Sequence, residues 1–342
     1  MTSQPSNPTQ PTSDSEPRLR AGPKSPRRVR RLAGVALGAA SLVSLGLAPL
    51  LSASENAPRK PFAEWADVPD QGQFSVRLWY QEAESYHIWA PRNRYEITVH
   101  AHDESYGIDR TQGLILMEYG ITERWAVDLN VGYGTVGTRS FNATSSVEST
   151  TGLLDTTLGV RYQIVNEKQA ASSWLPTLTF RAGGVLPGSF DKSFPFAPGQ
   201  RSAAIEPSLL VRKHFLWPGF GAYGDVFYRW MKTTGQDEYA VAVGLFQEIK
   251  GWTLEAGYRH LQTIGGYDLQ YNGLNAPLHY SPEVREINDT IDAGFSYTTS
   301  KHHWRWGFYT RSTFDGSNTD SAFWVSGYLE IPFGGKKKET AP

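Results

Sequence analysis

The chain contains no cysteine. That absence excludes a disulfide framework, thiolate-bound metals and cysteine nucleophiles. Long apolar runs are missing beyond Leu32–Leu51, so a bundle of membrane-spanning helices is excluded as well. Charge is sparse, 20% of residues with a formal net charge of −1, which leaves no basic footprint for nucleic acid. No segment has the 3.6-residue apolar period of a helix longer than a turn or two. What is abundant is aromatic: 11 Trp, 17 Tyr and 16 Phe among 342 residues, with 33 Gly.

The N-terminus reads as an export leader. Residues 1–26 are rich in Ser, Pro and Thr and are expected to be disordered. Arg27, Arg28, Arg30 and Arg31 precede the apolar stretch, and Ser52, Ala53 and Ser54 follow it. A basic region, an apolar region and small residues make a secretory signal peptide. The 20 apolar residues are long enough to span as an uncleaved anchor, but their Gly and Ala content and Pro49 favour cleavage. Beyond residue 54 remain 26 basic and 32 acidic residues, a mildly acidic exported protein. Residues 55–94 hold three Pro in 55–72 and read as a periplasmic lead-in, with Phe74–Tyr80 as an extra strand or plug.

From there a period of two dominates. In RWAVDLNVGYG, Trp125, Val127, Leu129, Val131 and Tyr133 share one face, while Arg124, Ala126, Asp128, Asn130 and Gly132 share the other. The same alternation recurs from Tyr95–His102 to Phe323–Phe333, and counting the strands gives twelve, with fourteen allowed. Residues 95–333 are expected to form the barrel and 334–342 a polar tail.

A soluble β-sandwich would also alternate, with its charges facing outward. Link lengths discriminate. Tight links at Gly120–Glu123, His214–Gly219, Ile249–Gly251 and Thr299–His302, and a moderate one at Asn166–Trp174, take turns with longer ones. The longer ones are Thr135–Gly152, Gly188–Ala203, Lys232–Asp237, Gln262–Glu286 and Asp315–Ser321. Outer-membrane barrels have short periplasmic turns and longer outside loops. The fold class is therefore all-β, an antiparallel transmembrane β-barrel of an outer membrane of the Gram-negative type.

Nearly every strand centres a charge on its polar face. Asp128, Arg161, Arg181, Glu206, Arg212, Asp225, Arg229, Glu255, Arg259, Asp292, Arg305 and Arg311 are expected to line the lumen. Asp225/Arg229 and Glu255/Arg259 repeat one spacing, and residues four apart on a strand lie ~13 Å apart, so each acid must pair across strands. Such pairs serve either as structural ladders or as a charge filter. Tyr223, Phe227 and Tyr309 offer ring contacts to a solute, and Trp125, Tyr133, Trp252 and Trp304 are expected interface anchors. Phe190, Phe194 and Phe196 belong to a loop that either captures solute outside or folds inward.

Histidines are weaker candidates. His100 and His102 share a face but lack a third ligand, so no metal site is expected; His302 and His303 fall in a turn. His260 lies on the outward phase near a strand end, where a barrel lipase would need it, but no serine partner stands out.

MEYGITERWAVDLNVGYG (Met117–Gly134), GLLDTTLGVRYQI (Gly152–Ile164) and WLPTLTFRAGGVLPGSF (Trp174–Phe190) resemble successive blocks of the meta-pathway phenol-degradation transporter family of outer-membrane β-barrel proteins. The resemblance implies passive uptake of small, often aromatic or apolar compounds and passes on no catalytic or binding residues. Phe333 closes a terminal strand as barrels do, although GGKKKETAP follows it and Pro332 lacks an N–H.

The expected function is an outer-membrane channel for passive uptake of small solutes, with outer-membrane lipid, solute and the barrel-assembly machinery as partners. No enzyme activity, cofactor or nucleic acid is implied. A scaffold or adhesin barrel acting through its loops is the alternative, and a secreted carbohydrate-binding sandwich a more distant one.

Overall fold

The computed structural model describes residues 65–91, 93–96, 98–99, 104–140, 146–190, 201–215, 217–232, 235–268 and 284–335. Among them the strands are β1 Gln73–Trp89, β2 Arg94–Glu96, β3 Thr98–Val99, β4 Glu104–Gly120, β5 Trp125–Ser140, β6 Ser146–Leu153, β7 Thr156–Val165 and β8 Thr177–Leu186. Then follow β9 Ala204–His214, β10 Phe220–Met231, β11 Asp237–Ile249, β12 Trp252–Ile264, β13 Ile287–Thr298, β14 Arg305–Ser317 and β15 Thr319–Gly334. All named pairings are antiparallel, and β1 bonds to both β4 and β15, so the sheet closes on itself. With β6 and β7 sharing one place beside β5, the wall has twelve staves. Closure pairs the first and last staves edge to edge, which hydrocarbon demands of a spanning sheet.

The count matches the sequence reading, but its first member does not. Gln73–Trp89, which the sequence left outside the barrel, is the closing stave. Tyr95–His102 is no stave. Its described part forms the short strands β2 and β3, added to the ends of β1 and β4, and His100 and His102 lie outside the described residues. The barrel therefore begins at Gln73 rather than Tyr95.

Burial decides between sandwich and barrel. Exposed side chains include Leu78, Ile115, Val226, Val243, Leu245 and Leu254, whereas Arg77, Arg110, Arg161, Arg259, Glu118 and Glu238 are among the largest fully buried ones. A soluble sheet has the opposite sense. An outward surface of aliphatics requires lipid against it.

Two aromatic girdles mark where that lipid ends. At the end carrying the short turns, Trp125 lies against Tyr162 with centroids 4.6 Å apart. Trp252 there touches Tyr297 at 4.9 Å and Trp306 at 5.4 Å. Towards the end carrying the loops the rings are tyrosines whose hydroxyls donate to polar neighbours. Tyr228 bonds Asp237 at 3.1 Å, Tyr239 bonds Gln262 at 2.8 Å, Tyr258 bonds Asp289 at 2.5 Å, and Tyr80 bonds Glu82. A ring with a wet tip suits a hydrocarbon–water boundary. His260 belongs to this collar, its Nδ1 2.8 Å from Asp289.

Several staves exceed the ~10 residues that span a bilayer. β1 and β4 have 17 residues, and β5 and β15 have 16, so this side of the wall rises past the lipid into water. Two links read from the sequence as loops are absorbed by that rise. Thr135–Gly152 is largely the β5–β6 hairpin, and Asp315–Ser321 shrinks to Asn318, held at φ 57°.

Candidate functional site: the lumen

The lumen has two chemically distinct parts, and the first is an ion-pair belt. Inward phase places Glu118 on β4, Asp128 on β5, Arg161 on β7, Arg181 on β8, Glu206 on β9, Arg229 on β10 and Glu238 on β11, all buried. These are seven consecutive staves, and their charges interlock. Arg161 reaches Glu118 at 2.6 Å and Asp128 at 3.7 Å. Arg181 reaches Asp128 at 2.7 Å and Glu206 at 3.1 Å. Arg229 reaches Glu206 at 2.6 Å and also Glu238. Each planar guanidinium thus bridges two carboxylates on different strands. Burial explains the alternation, because an unpaired charge out of water is far costlier than a paired one.

The second part is an apolar and aromatic cluster. Trp79, Ile88, Ile108, Leu114, Val136, Leu154, Phe190, Tyr309 and Tyr328 pack together inside the barrel. Trp79 stacks on Tyr328 at 5.0 Å and on Tyr309 at 6.0 Å, and the Arg77 guanidinium lies 4.4 Å from the Tyr328 ring centre. Polar contacts fix the rings. Tyr309 donates to Glu255 at 2.9 Å, and the Trp79 indole donates to Gln81 at 3.3 Å.

A break in the wall supplies two members of this cluster. Between β6 and β7, Leu154 turns inward with its N–H on Gly132 O at 2.9 Å. Gly132 leaves the needed space, since a Cβ there would stand 2.8 Å from Leu154 Cδ1. Asp155 then accepts from Gly188 N at 2.8 Å, and Phe190 N bonds Leu153 O at 3.2 Å, which carries the Phe190 ring inward. Phe194 and Phe196 lie outside the described residues.

The remaining residues singled out from the sequence distribute around these two parts. Asp128, Arg161, Arg181, Glu206 and Arg229 join in the belt. Arg212 pairs with Asp67 at 2.6 Å, and Arg311 with Asp292 at 2.5 Å. Asp225, Glu255 and Arg259 are buried in the lumen, while Arg305 is half-buried at the turn end and donates to Thr298 at 2.9 Å. Tyr309 sits in the aromatic stack. Tyr223 instead packs on Phe246, and Phe227 on Ala240 and Leu261, in separate clusters. Trp125, Tyr133, Trp252 and Trp304 are exposed on the barrel's outside. His302 and His303 are exposed in the turn before β14.

Sequence reasoning missed Arg77, Trp79, Arg110, Glu118, Glu238 and Tyr328. Arg77 and Trp79 followed from excluding β1. Its alternation of Arg77, Trp79 and Gln81 against Val76, Leu78 and Tyr80 was the available signal. Trp65 was missed altogether. Residues 65–72 hook into the lumen from the turn end, and the buried Trp65 ring lies 5.0 Å from the Arg161 guanidinium carbon and 5.6 Å from that of Arg181.

A closed antiparallel wall, apolar outside and charged inside, with girdles at two levels, defines an outer-membrane β-barrel of porin-like build. The chain belongs to the family described as Putative MetA-pathway of phenol degradation, which matches residues 71–322. In fold it is similar to the COG4313 outer membrane channel from Pseudomonas putida F1, with a TM-score of 0.59 at 12% identity, covering 81% of this chain and 100% of that one. The translocator domain of the autotransporter NalP from Neisseria meningitidis aligns at a TM-score of 0.44 and 11% identity, covering 89% of this chain and 98% of that one. Among curated proteins none matches the chain in sequence. Its place is the outer membrane of a Gram-negative-type bacterium.

Proposed function

We propose that the barrel is a passive outer-membrane channel for small apolar or ring-bearing solutes. The observation that carries this reading is the inward-facing cluster of Trp79, Tyr309, Tyr328, Leu114, Leu154 and Phe190. Soluble and membrane barrels alike can fill a twelve-strand interior with polar side chains, and a structural plug needs no rings. Inward-facing rings and aliphatics along a solute path give apolar molecules partial desolvation at every step.

The charges divide the work. Arg161, Arg181, Arg229 and their carboxylates hold one side of the wall rigid, while Tyr309 on β14, with Tyr223 and Phe227 on β10, offers ring contacts. The uptake reading fits the family and the fold likeness to a bacterial outer-membrane channel. Residues 1–54 act as the export leader, and the barrel-assembly machinery inserts the mature chain.

Liposome swelling with purified protein tests the reading. Benzyl alcohol and phenol are expected to pass faster than arabinose. Equal silence with every solute would favour a scaffold or adhesin barrel instead.

A further inference from the structure

The segment Trp65–Asp67 occupies the inner chamber as a ligand would. Its ring sits beside two guanidiniums, and its oxygens are met by donors from four wall residues. Arg161 Nη1 donates to Trp65 O at 3.2 Å and to Asp67 O at 3.0 Å. Gln163 Nε2 donates to Ala66 O at 3.3 Å, and Thr179 Oγ1 donates to the same oxygen at 2.5 Å. The Asp67 carboxylate pairs with Arg212 Nη1 at 2.6 Å. Every hydrogen bond described for 65–67 comes from a wall side chain and none from the strand ladder. The buried Trp65 indole N–H meets no acceptor among the described residues.

We propose that this chamber is a binding site for an aromatic carboxylate, and that Trp65–Asp67 is a tethered occupant which such a solute displaces. The inference rests on reading the lumen as a solute path. The wall offers donors and cations, so the occupant must bring acceptors, one negative charge and a flat ring. Trp65 and Asp67 supply that set from the chain itself. A neutral hydrocarbon cannot take their place, because it would leave the Arg161, Gln163 and Thr179 donors buried without acceptors. An aromatic acid brings acceptor atoms, charge and ring together: its carboxylate replaces Asp67 at Arg212, and its ring replaces the indole at Arg161 and Arg181. Departure of the segment breaks no ladder, so the wall stays closed during exchange.

The test is isothermal titration of the detergent-solubilised full barrel with sodium benzoate and with benzyl alcohol. Wild type is compared with the Trp65→Ala/Asp67→Asn double variant, and heat-modifiable gel migration verifies folding of each. The double variant is expected to bind benzoate at least ten-fold more tightly than wild type and benzyl alcohol unchanged. Adding Thr179→Val and Arg212→Gln to it should cancel the gain. Equal gains for both ligands would overturn the proposal and leave the segment a mere obstruction; no gain for benzoate would overturn it too. Should the double variant misfold, Asp67→Asn alone is read the same way, with a smaller gain expected. Swelling of wild-type liposomes by benzyl alcohol is scored separately, so failure of the channel reading is distinguishable from failure of this site.

Discussion

Trp79 and Tyr328 lie face to face across the seam between the first and last staves, centroids 5.0 Å apart and planes 3° from parallel. They are register partners on β1 and β15, so the ring stack lies directly on the line where the barrel closes. One contact therefore serves both the wall and the path through it.

Trp79→Ala should affect both. Truncating a buried aromatic costs about 3–5 kcal/mol, so the variant should lose heat-modifiable migration at a lower temperature than wild type. Survivors should pass arabinose faster and lose their preference for phenol. Unchanged selectivity in a stably assembled variant would remove the stack from the solute path.

Arg181→Met would leave Asp128 and Glu206 buried without the fork that joins them. Breaking one partner of a buried pair costs about 3–5 kcal/mol, and urea unfolding followed by gel migration reads the loss. Arg181→Lys should recover little of it, since an ammonium cannot bridge both carboxylates in one plane. Full recovery by lysine would mean that charge alone, without fork geometry, holds the belt.

Leu129 and Asn130 are adjacent on β5 but face lipid and lumen respectively, Asn130 being buried. Leu129→Arg should cost about 2–4 kcal/mol near the bilayer midplane and block membrane assembly. Asn130→Arg should assemble and slow solute passage. Fractionation of both variants checks the orientation, and a reversed result would turn the wall inside out.

The periplasmic-side turn after β7 should soften in acid. Burial by itself pushes the Glu167 carboxyl up, but hydrogen bonds from the His214 backbone and ring, aided by that ring's charge and by Lys213, hold it below the usual carboxylate range. A carboxyl lowered by folding stabilises the folded state above its unfolded pKa. That contribution is lost as pH falls through the lowered folded value. Amide protection in 166–176, corrected for the intrinsic exchange rate, should therefore fall towards low pH in wild type, and Glu167→Gln should flatten the dependence.

The phase of each stave was legible because opposite solvents on the two sides force opposite chemistry on alternate residues. Asp128, Arg161, Arg181 and Asp225, which spacing alone puts on the polar face, are all buried. β1 was legible only as Phe74–Tyr80, an extra strand, and its continuation was hidden for a physical reason. Past Tyr80 its outward residues are Glu82, Glu84 and Tyr86, since the stave has risen out of lipid and faces water. A reading that requires an apolar outside stops there. Tyr95–Val99 alternates yet forms only short strand additions, because local pattern carries no pairing partner. Trp65 left no trace in a Pro-rich stretch without period. Its place is set by Arg161 and Arg181, about a hundred residues downstream.

The seam has a consequence for the order of events. Arg77 and Glu330, joined across it, are 253 residues apart in the chain, with Arg77 Nε 3.1 Å from the Glu330 carboxylate. Bringing such distant ends together costs roughly 5 kcal/mol of chain entropy, and Pro332, opposite Ser75, withholds one rung of the ladder that repays it. Side chains make up the difference on either side of that gap, Phe74 against Phe333 at 6.2 Å and Arg77 with Glu330. Cyclisation therefore joins the two staves that lie farthest apart in the chain, a pairing that no local hairpin can nucleate. Until it happens the chain is an open ribbon with two sticky edges, the earliest-made stave waiting for the latest.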